Sequence, residues 1–292
     1  LPSSAANVVA TGLLHRIPKS FAATGFFMAM IDVGGAAVEF AQSGAGPDLL
    51  LLHSLLTDLT AFERIVPTLQ KTHRVSCVNL PGFGASAPVP FDSVAGHADH
   101  VARVIAALEL PDTTTVFGNG FGAFVALELA IRHGRHFGKL CAADVVATFP
   151  DAAKPAFRTM AARVRDSGMA AVLDIAIGRM FPPAFQAHSP DVVAMRKRRL
   201  SGVDPECFAR ACLALAELDL RERLPSIHNE TLVLCGALDQ TTPAELSRQV
   251  ARAIAGANFE EIPDCGHCPM LEQPEVLIAA LNSFAPATKT FQ

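Results

Sequence analysis

The segment Val116-Phe117-Gly118-Asn119-Gly120-Phe121-Gly122-Ala123 passes from an apolar strand through a glycine-spaced turn into a helix that stays apolar to Leu127. This is the strand-turn-helix setting of a nucleophile elbow, where the centre of G-x-S-x-G presents an attacking serine on a sharply bent backbone. Here the centre is Gly120. A glycine has no side-chain oxygen, so acyl transfer through an alkoxide at this position is excluded. It tolerates positive φ without a Cβ clash, so the bend itself survives. Cys265 and Cys268 flank His267 in a C-x-x-C spacing that invites zinc or redox chemistry. A structural zinc site needs four ligands and no second pair lies nearby, so no metal is expected. The chain has no Trp and no Tyr, which removes every phenol from the list of acids, bases and nucleophiles.

These residues need a scaffold, and the hydrophobic pattern supplies one. Ala36–Phe40, a turn at 44–47 and the apolar run Leu49–His53 read as a hairpin feeding a buried strand. Further buried-type strands fall at 75–80, 113–118, 140–146, 231–235 and 259–262. Helical spacing covers 94–108 and 121–133. The β-α-β-α order implies a mostly parallel sheet covered on both faces, with ligands bound beyond the carboxyl ends of its strands. Between Ala147 and Thr231 the periodicity is helical throughout, broken by Phe149-Pro150, Phe181-Pro182-Pro183 and Asp204-Pro205. Residues 148–228 therefore read as a helical cap inserted into a core of 28–147 and 229–288. Met160, Met169, Met180 and Met195 fall in the cap, as its own packing or as pocket lining.

Half of the 292 residues are apolar and 18% are charged, enough to bury a large core and too little charge for a disordered chain. A net charge of −4, with no basic run longer than Arg196–Arg199, leaves no nucleic-acid footprint. That run reads as a solvated helix face. Histidines 15, in the N-terminal stretch, and 73, 97, 100, 133, 136, 188 and 228 read as surface residues. Seven scattered cysteines fit a reducing cytoplasm. No stretch reaches the roughly 18 apolar residues of a membrane span. Residues 1–27, ahead of the first carboxylate at Asp32, read as an N-terminal extension or disordered arm. The sequence leaves self-association into a homo-oligomer open.

From the elbow outward the chain resembles the α/β-hydrolase family, over roughly residues 31–286. His53 ends a buried strand where the family has His-Gly, followed here by Ser54. Asn79-Leu80-Pro81-Gly82-Phe83-Gly84-Ala85-Ser86 resembles the D-x-x-G-x-G-x-S loop. Gly236-Ala237-Leu238-Asp239 resembles the acid loop, and Cys265-Gly266-His267 the histidine loop. Within the family, the elbow, cap and terminal loop are most similar to 3-oxoadipate enol-lactonases and meta-cleavage-product hydrolases. The resemblance implies an α/β-hydrolase fold with an eight-stranded, mostly parallel sheet and a helical cap. It also implies a cofactor-free hydrolase in which Asp239 orients His267. The backbone N–H of Phe121 and one near Ser54 or Leu55 would form an oxyanion hole, with His53 and Asn119 organising the site.

Gly120 keeps several readings open. A serine was replaced to trap substrate, another nucleophile acts (a water or Ser54), or the protein binds without reacting. The leading reading is hydrolysis of a small carboxylate-bearing lactone, ester or C–C-cleavable diketone by the His267–Asp239 dyad. The alternatives are a cofactor-free lyase, decarboxylase or oxygenase using His267 as base, and a non-catalytic ligand-binding homologue.

Overall fold

The computed structural model describes residues 27–286. Residues 1–26, which hold nearly all of the expected extension, lie outside the described residues. Phe27, counted with it, opens the first strand. The strands are β1 (Phe27–Val33), β2 (Ala36–Ser43), β3 (Asp48–Leu52), β4 (Arg74–Val78), β5 (Thr115–Asn119), β6 (Lys139–Ala143), β7 (Glu230–Gly236) and β8 (Asn258–Ile262). They form one sheet in the order β1-β2-β4-β3-β5-β6-β7-β8. β1 and β2 are antiparallel to each other and β2 to β4, while all pairings from β4 onward are parallel. The hairpin differs from the expected one. It joins β1 to β2 across Gly34–Gly35, and β3 runs between β4 and β5 instead of pairing with β2. A crossover follows because β2 and β3 sit on opposite sides of β4.

β3 and β5 lie in the middle of the sheet and are buried at every residue, as strands covered on both faces must be. The Phe121–His133 helix is buried from Phe121 through Ala130, all of it apolar except Glu128, which pairs with Arg223 at 2.8 Å. Its approach to the sheet requires two glycines: a Cβ on Gly118 would stand 2.4 Å from the Gly122 carbonyl oxygen, and one on Gly122 2.3 Å from that of Leu52.

Between β6 and β7 the chain forms five helices, Lys154–Ser167, Leu173–Met180, Pro183–His188, Pro190–Leu200 and Pro205–Ala216. The first and last of these pack together. Asp204 caps the last by accepting from the Cys207 N–H at 2.8 Å, with Pro205 preset for the first turn.

Here the basic run departs from its expected role. Arg198 is exposed, but Arg196 is buried and sends its guanidinium across to the loop after β3, pairing with Asp58 at 3.2 Å and Thr60 Oγ1 at 2.8 Å. Four consecutive basic residues cannot all face one way on a helix, and the one that points inward found an acid. Arg196→Met should destabilise the fold by about 3 kcal/mol in urea unfolding, because Asp58 would remain buried with only the more distant Arg199, at 3.9 Å, as its counter-charge. A loss below about 1 kcal/mol would mean that the pair contributes no more than a surface contact.

His73, His97 and His100 are likewise buried, not surface residues. His73 Nε2 lies 2.5 Å from the Ala285 carbonyl oxygen, and the His97 ring meets Phe121 edge-on with centroids 4.9 Å apart.

Candidate active site

Loops at the carboxyl ends of parallel strands, among them those after β3, β7 and the edge strand β8, gather around Gly120. Its backbone has φ 52° and ψ −117°, the left-handed bend of an elbow, and its N–H donates to Ala143 O at 2.9 Å. The bend aims the missing side chain at two groups. A Cβ at residue 120 would stand 2.6 Å from Ser54 Oγ and 2.7 Å from His267 Nε2.

His267 follows β8 and is buried. Its Nδ1 lies 2.7 Å from Asp239 Oδ2, in the loop after β7. The carboxylate is fixed on both oxygens: the Thr241 and Thr242 N–H groups donate to Oδ1 at 2.7 and 3.2 Å, and Thr242 Oγ1 donates to Oδ2 at 2.5 Å. With Oδ2 an acceptor, Nδ1 carries a proton in either charge state, and in the neutral ring Nε2 presents its lone pair toward Gly120. Burial works against charge on both partners. The attraction and hydrogen bond between them prevail, holding Asp239 below the usual carboxylate range and carrying His267 up to about 9.

A second carboxylate stands behind this pair. Asp144, at the end of β6 with φ 59°, accepts from Asn119 Nδ2 at 2.7 Å and from the Gly236 N–H at 3.0 Å. Burial first, then the charge of Asp239, pushes it up to about 8. Asn119 Nδ2 also donates to the His267 carbonyl oxygen at 3.0 Å, tying β5, β6 and the histidine loop together. Ligand atoms of Asp144, Asp239 and His267 lie within 4.8 Å of one another. Within this group Asp144 accepts from Asn119 and Gly236, and Asp239 Oδ2 faces His267 Nδ1.

His53 is buried at the end of β3. The Leu80 N–H donates to its Nε2 at 3.0 Å, so Nδ1 carries the proton and donates to Ser54 O at 2.8 Å. Burial lowers its pKa to about 4, keeping it neutral while it braces two loops. Of the two residues named for the oxyanion loop, the Ser54 N–H is spent on Thr57 Oγ1 at 3.0 Å. Among the described residues no acceptor takes the N–H of Leu55 or of Phe121. Cys265 and Cys268 are buried free thiols, and burial raises both pKa values, so neither offers a thiolate beside His267.

A narrow pocket of about 30 Å³ lies over this site. Ser54, Gly120, Thr242 and His267 form its polar end. Phe124, Phe149, Phe157, Met160 and Leu215 form apolar walls, and Arg179 is its one charged lining residue besides His267. Asp144 and Arg179 escaped the sequence reading. The strand-end rule that located Asp239 applies equally to Asp144, whereas nothing in local sequence distinguishes Arg179 from the other arginines of the helical segment.

Residues 49–280 match the family described as the alpha/beta hydrolase family. The chain is 28% identical to 3-oxoadipate enol-lactonase 2 of Acinetobacter baylyi over 250 residues, which is 85% of this chain and 92% of that protein. It is 29% identical to the 2-hydroxymuconate semialdehyde hydrolase of Pseudomonas sp. strain CF600, over 87% of this chain and 92% of that one. The crystal structure of the enol-lactonase from Burkholderia xenovorans LB400 superimposes with a TM-score of 0.82 at 25% identity, covering 87% and 98% of the two chains.

Proposed function

The chain belongs to the alpha/beta hydrolase family, and on that premise we propose that it hydrolyses a small lactone, ester or C–C-cleavable diketone in the cavity above Gly120. One observation carries the reading: His267 is oriented by Asp239 at 2.7 Å, and its free nitrogen faces a point bordered by Ser54 and Gly120. A dyad so placed is a general base aimed at a reacting carbonyl.

With no hydroxyl at residue 120, the attacking oxygen is a water admitted to the cavity. Neutral His267 Nε2 takes its proton as the water oxygen bonds to the carbonyl carbon. The N–H groups of Phe121 and Leu55 receive the developing oxyanion, each such donor being worth on the order of 10² to 10³ in rate. The imidazolium then returns the proton to the leaving alkoxide as the C–O bond breaks, giving acid and alcohol. Asp239 positions and stabilises the imidazolium. Names of relatives that act on lactones and semialdehydes support this substrate range, and seven free thiols fit a cytoplasmic setting.

His267→Ala should lower turnover of p-nitrophenyl esters and small lactones by at least about 10²-fold. Unchanged turnover would refute the assignment. Gly120 also favours a second reading, in which His267 draws a proton from a substrate carbon and no acyl transfer occurs. CO₂ release or O₂ uptake from an aromatic or β-keto acid, with esters left intact, would select it.

A further inference from the structure

We infer that Arg179 is the anion subsite of this cavity and selects substrates carrying a carboxylate a few carbons from the scissile carbonyl. The inference rests on the hydrolytic reading for the reaction, but its geometric basis is independent.

Arginines in the same helical stretch mostly meet acids: Arg158 pairs with Glu217, Arg165 with Glu206, Arg196 with Asp58 and Arg210 with Asp92. Arg179 meets none among the described residues. Its guanidinium is half-buried, with Cζ 5.3 Å from the centre of the Phe157 ring. A cation over an aromatic face keeps its planar edge available for a two-pronged contact with a carboxylate. Phe157 adjoins Phe149 at 4.6 Å between centroids, and Phe149 adjoins Phe124 at 5.5 Å, one helical turn from Gly120. The rings thus line an apolar path from the reacting end to the guanidinium.

The two ends are also fixed relative to each other. The Arg179 carbonyl accepts from Thr241 Oγ1 at 3.1 Å, and the adjacent Met180 carbonyl accepts from the His267 N–H at 3.1 Å. Backbone contacts therefore lock the Leu173–Met180 helix onto both the acid loop and the histidine loop. A site with polar groups at each end and an apolar span between them fits a short chain with an ester or lactone carbonyl at one end and an anion at the other.

Calorimetric titration with adipate, a six-carbon dicarboxylate that cannot be hydrolysed, reads the subsite without turnover. The wild type should bind it, Arg179→Gln at least about 30-fold more weakly, and Arg179→Lys in between, since lysine keeps the charge and loses the fork. In turnover, the p-nitrophenyl half-ester of adipic acid should exceed p-nitrophenyl hexanoate by about 10²-fold in kcat/KM, and Arg179→Gln should collapse that ratio toward unity through KM. A ratio preserved in Arg179→Gln, or adipate binding that ignores the substitution, overturns the assignment. Arg179-dependent adipate binding with no turnover of either ester would keep the subsite and overturn the hydrolytic reading instead.

Discussion

Gly120→Ser should raise ester turnover by about 10³-fold, because every part of a covalent hydrolase except the attacking oxygen is already in place. The backbone at residue 120 holds the elbow bend, His267 Nε2 faces it, and two N–H donors await an oxyanion. The gain should come with a stability loss of about 2 kcal/mol, since a side chain at φ 52° is strained. Crowding adds to the strain: the new Cβ would press on Ser54 Oγ at 2.6 Å and His267 Nε2 at 2.7 Å. The Ser54 hydroxyl can rotate away, while the imidazole, anchored by Asp239, must retreat by a few tenths of an ångström. Gly120→Ser combined with Ser54→Gly should therefore recover part of the stability and keep the rate. Gly120→Ala should show the stability loss alone. A burst of p-nitrophenol and an acyl adduct on residue 120 by mass spectrometry would mark the covalent route. Failure of the serine variant to gain either would mean that the dyad and the two N–H groups are not arranged for acyl transfer.

The fold was legible because its signals are local and repeated. β3 shows as the apolar run Leu49–Leu52 and β5 as the shorter Val116–Gly118, and the glycine spacing of 118, 120 and 122 marks a turn that permits close approach of strand and helix. Placement of Asp239 and His267 was legible through loop order, since both follow parallel strands and ligand chemistry collects at those ends. What stayed hidden depends on partners distant in sequence. Arg196 looks like one residue of a solvated run until Asp58, 138 positions earlier, draws it inside. His97 has no sequence signature of burial, because it packs against the rings of Phe91 and Phe121 and, among the described residues, neither of its ring nitrogens has a hydrogen-bond partner. The division of labour between Ser54 and Leu55 also lies beyond pattern. Only the Thr57 hydroxyl, by capturing one N–H and leaving the next, decides which can serve an oxyanion.

Asp239→Asn should cost about 10⁴-fold in kcat/KM, more than its loss of charge alone would bring, because the hydrogen-bond geometry forces the wrong tautomer. The amide oxygen must stay where Oδ1 is, facing the N–H groups of Thr241 and Thr242 at 2.7 and 3.2 Å. Its NH₂ then replaces Oδ2 and donates to His267 Nδ1 across the present 2.7 Å contact. A donor there strips Nδ1 of its proton and places it on Nε2, the nitrogen that has to accept one. The same pair sets the pH dependence. In the wild type the imidazole must be neutral to act as base, and Asp239 holds its pKa up to about 9. kcat/KM should thus climb by about tenfold per pH unit through neutrality and level off near that value. The stability contributed by the ion pair runs the opposite way. A histidine whose folded pKa is raised from 6.5 stabilises the fold fully below that pH, and the contribution fades as pH rises through about 9. Removing the carboxylate leaves burial to dominate, so in Asp239→Asn the rate limb should shift to lower pH and the stability slope should reverse, with stability lost on acidification as the buried imidazole takes a proton. A pH-rate profile that kept its limb near 9 in the variant, or a loss under tenfold, would show that Asp239 does not govern the proton on His267.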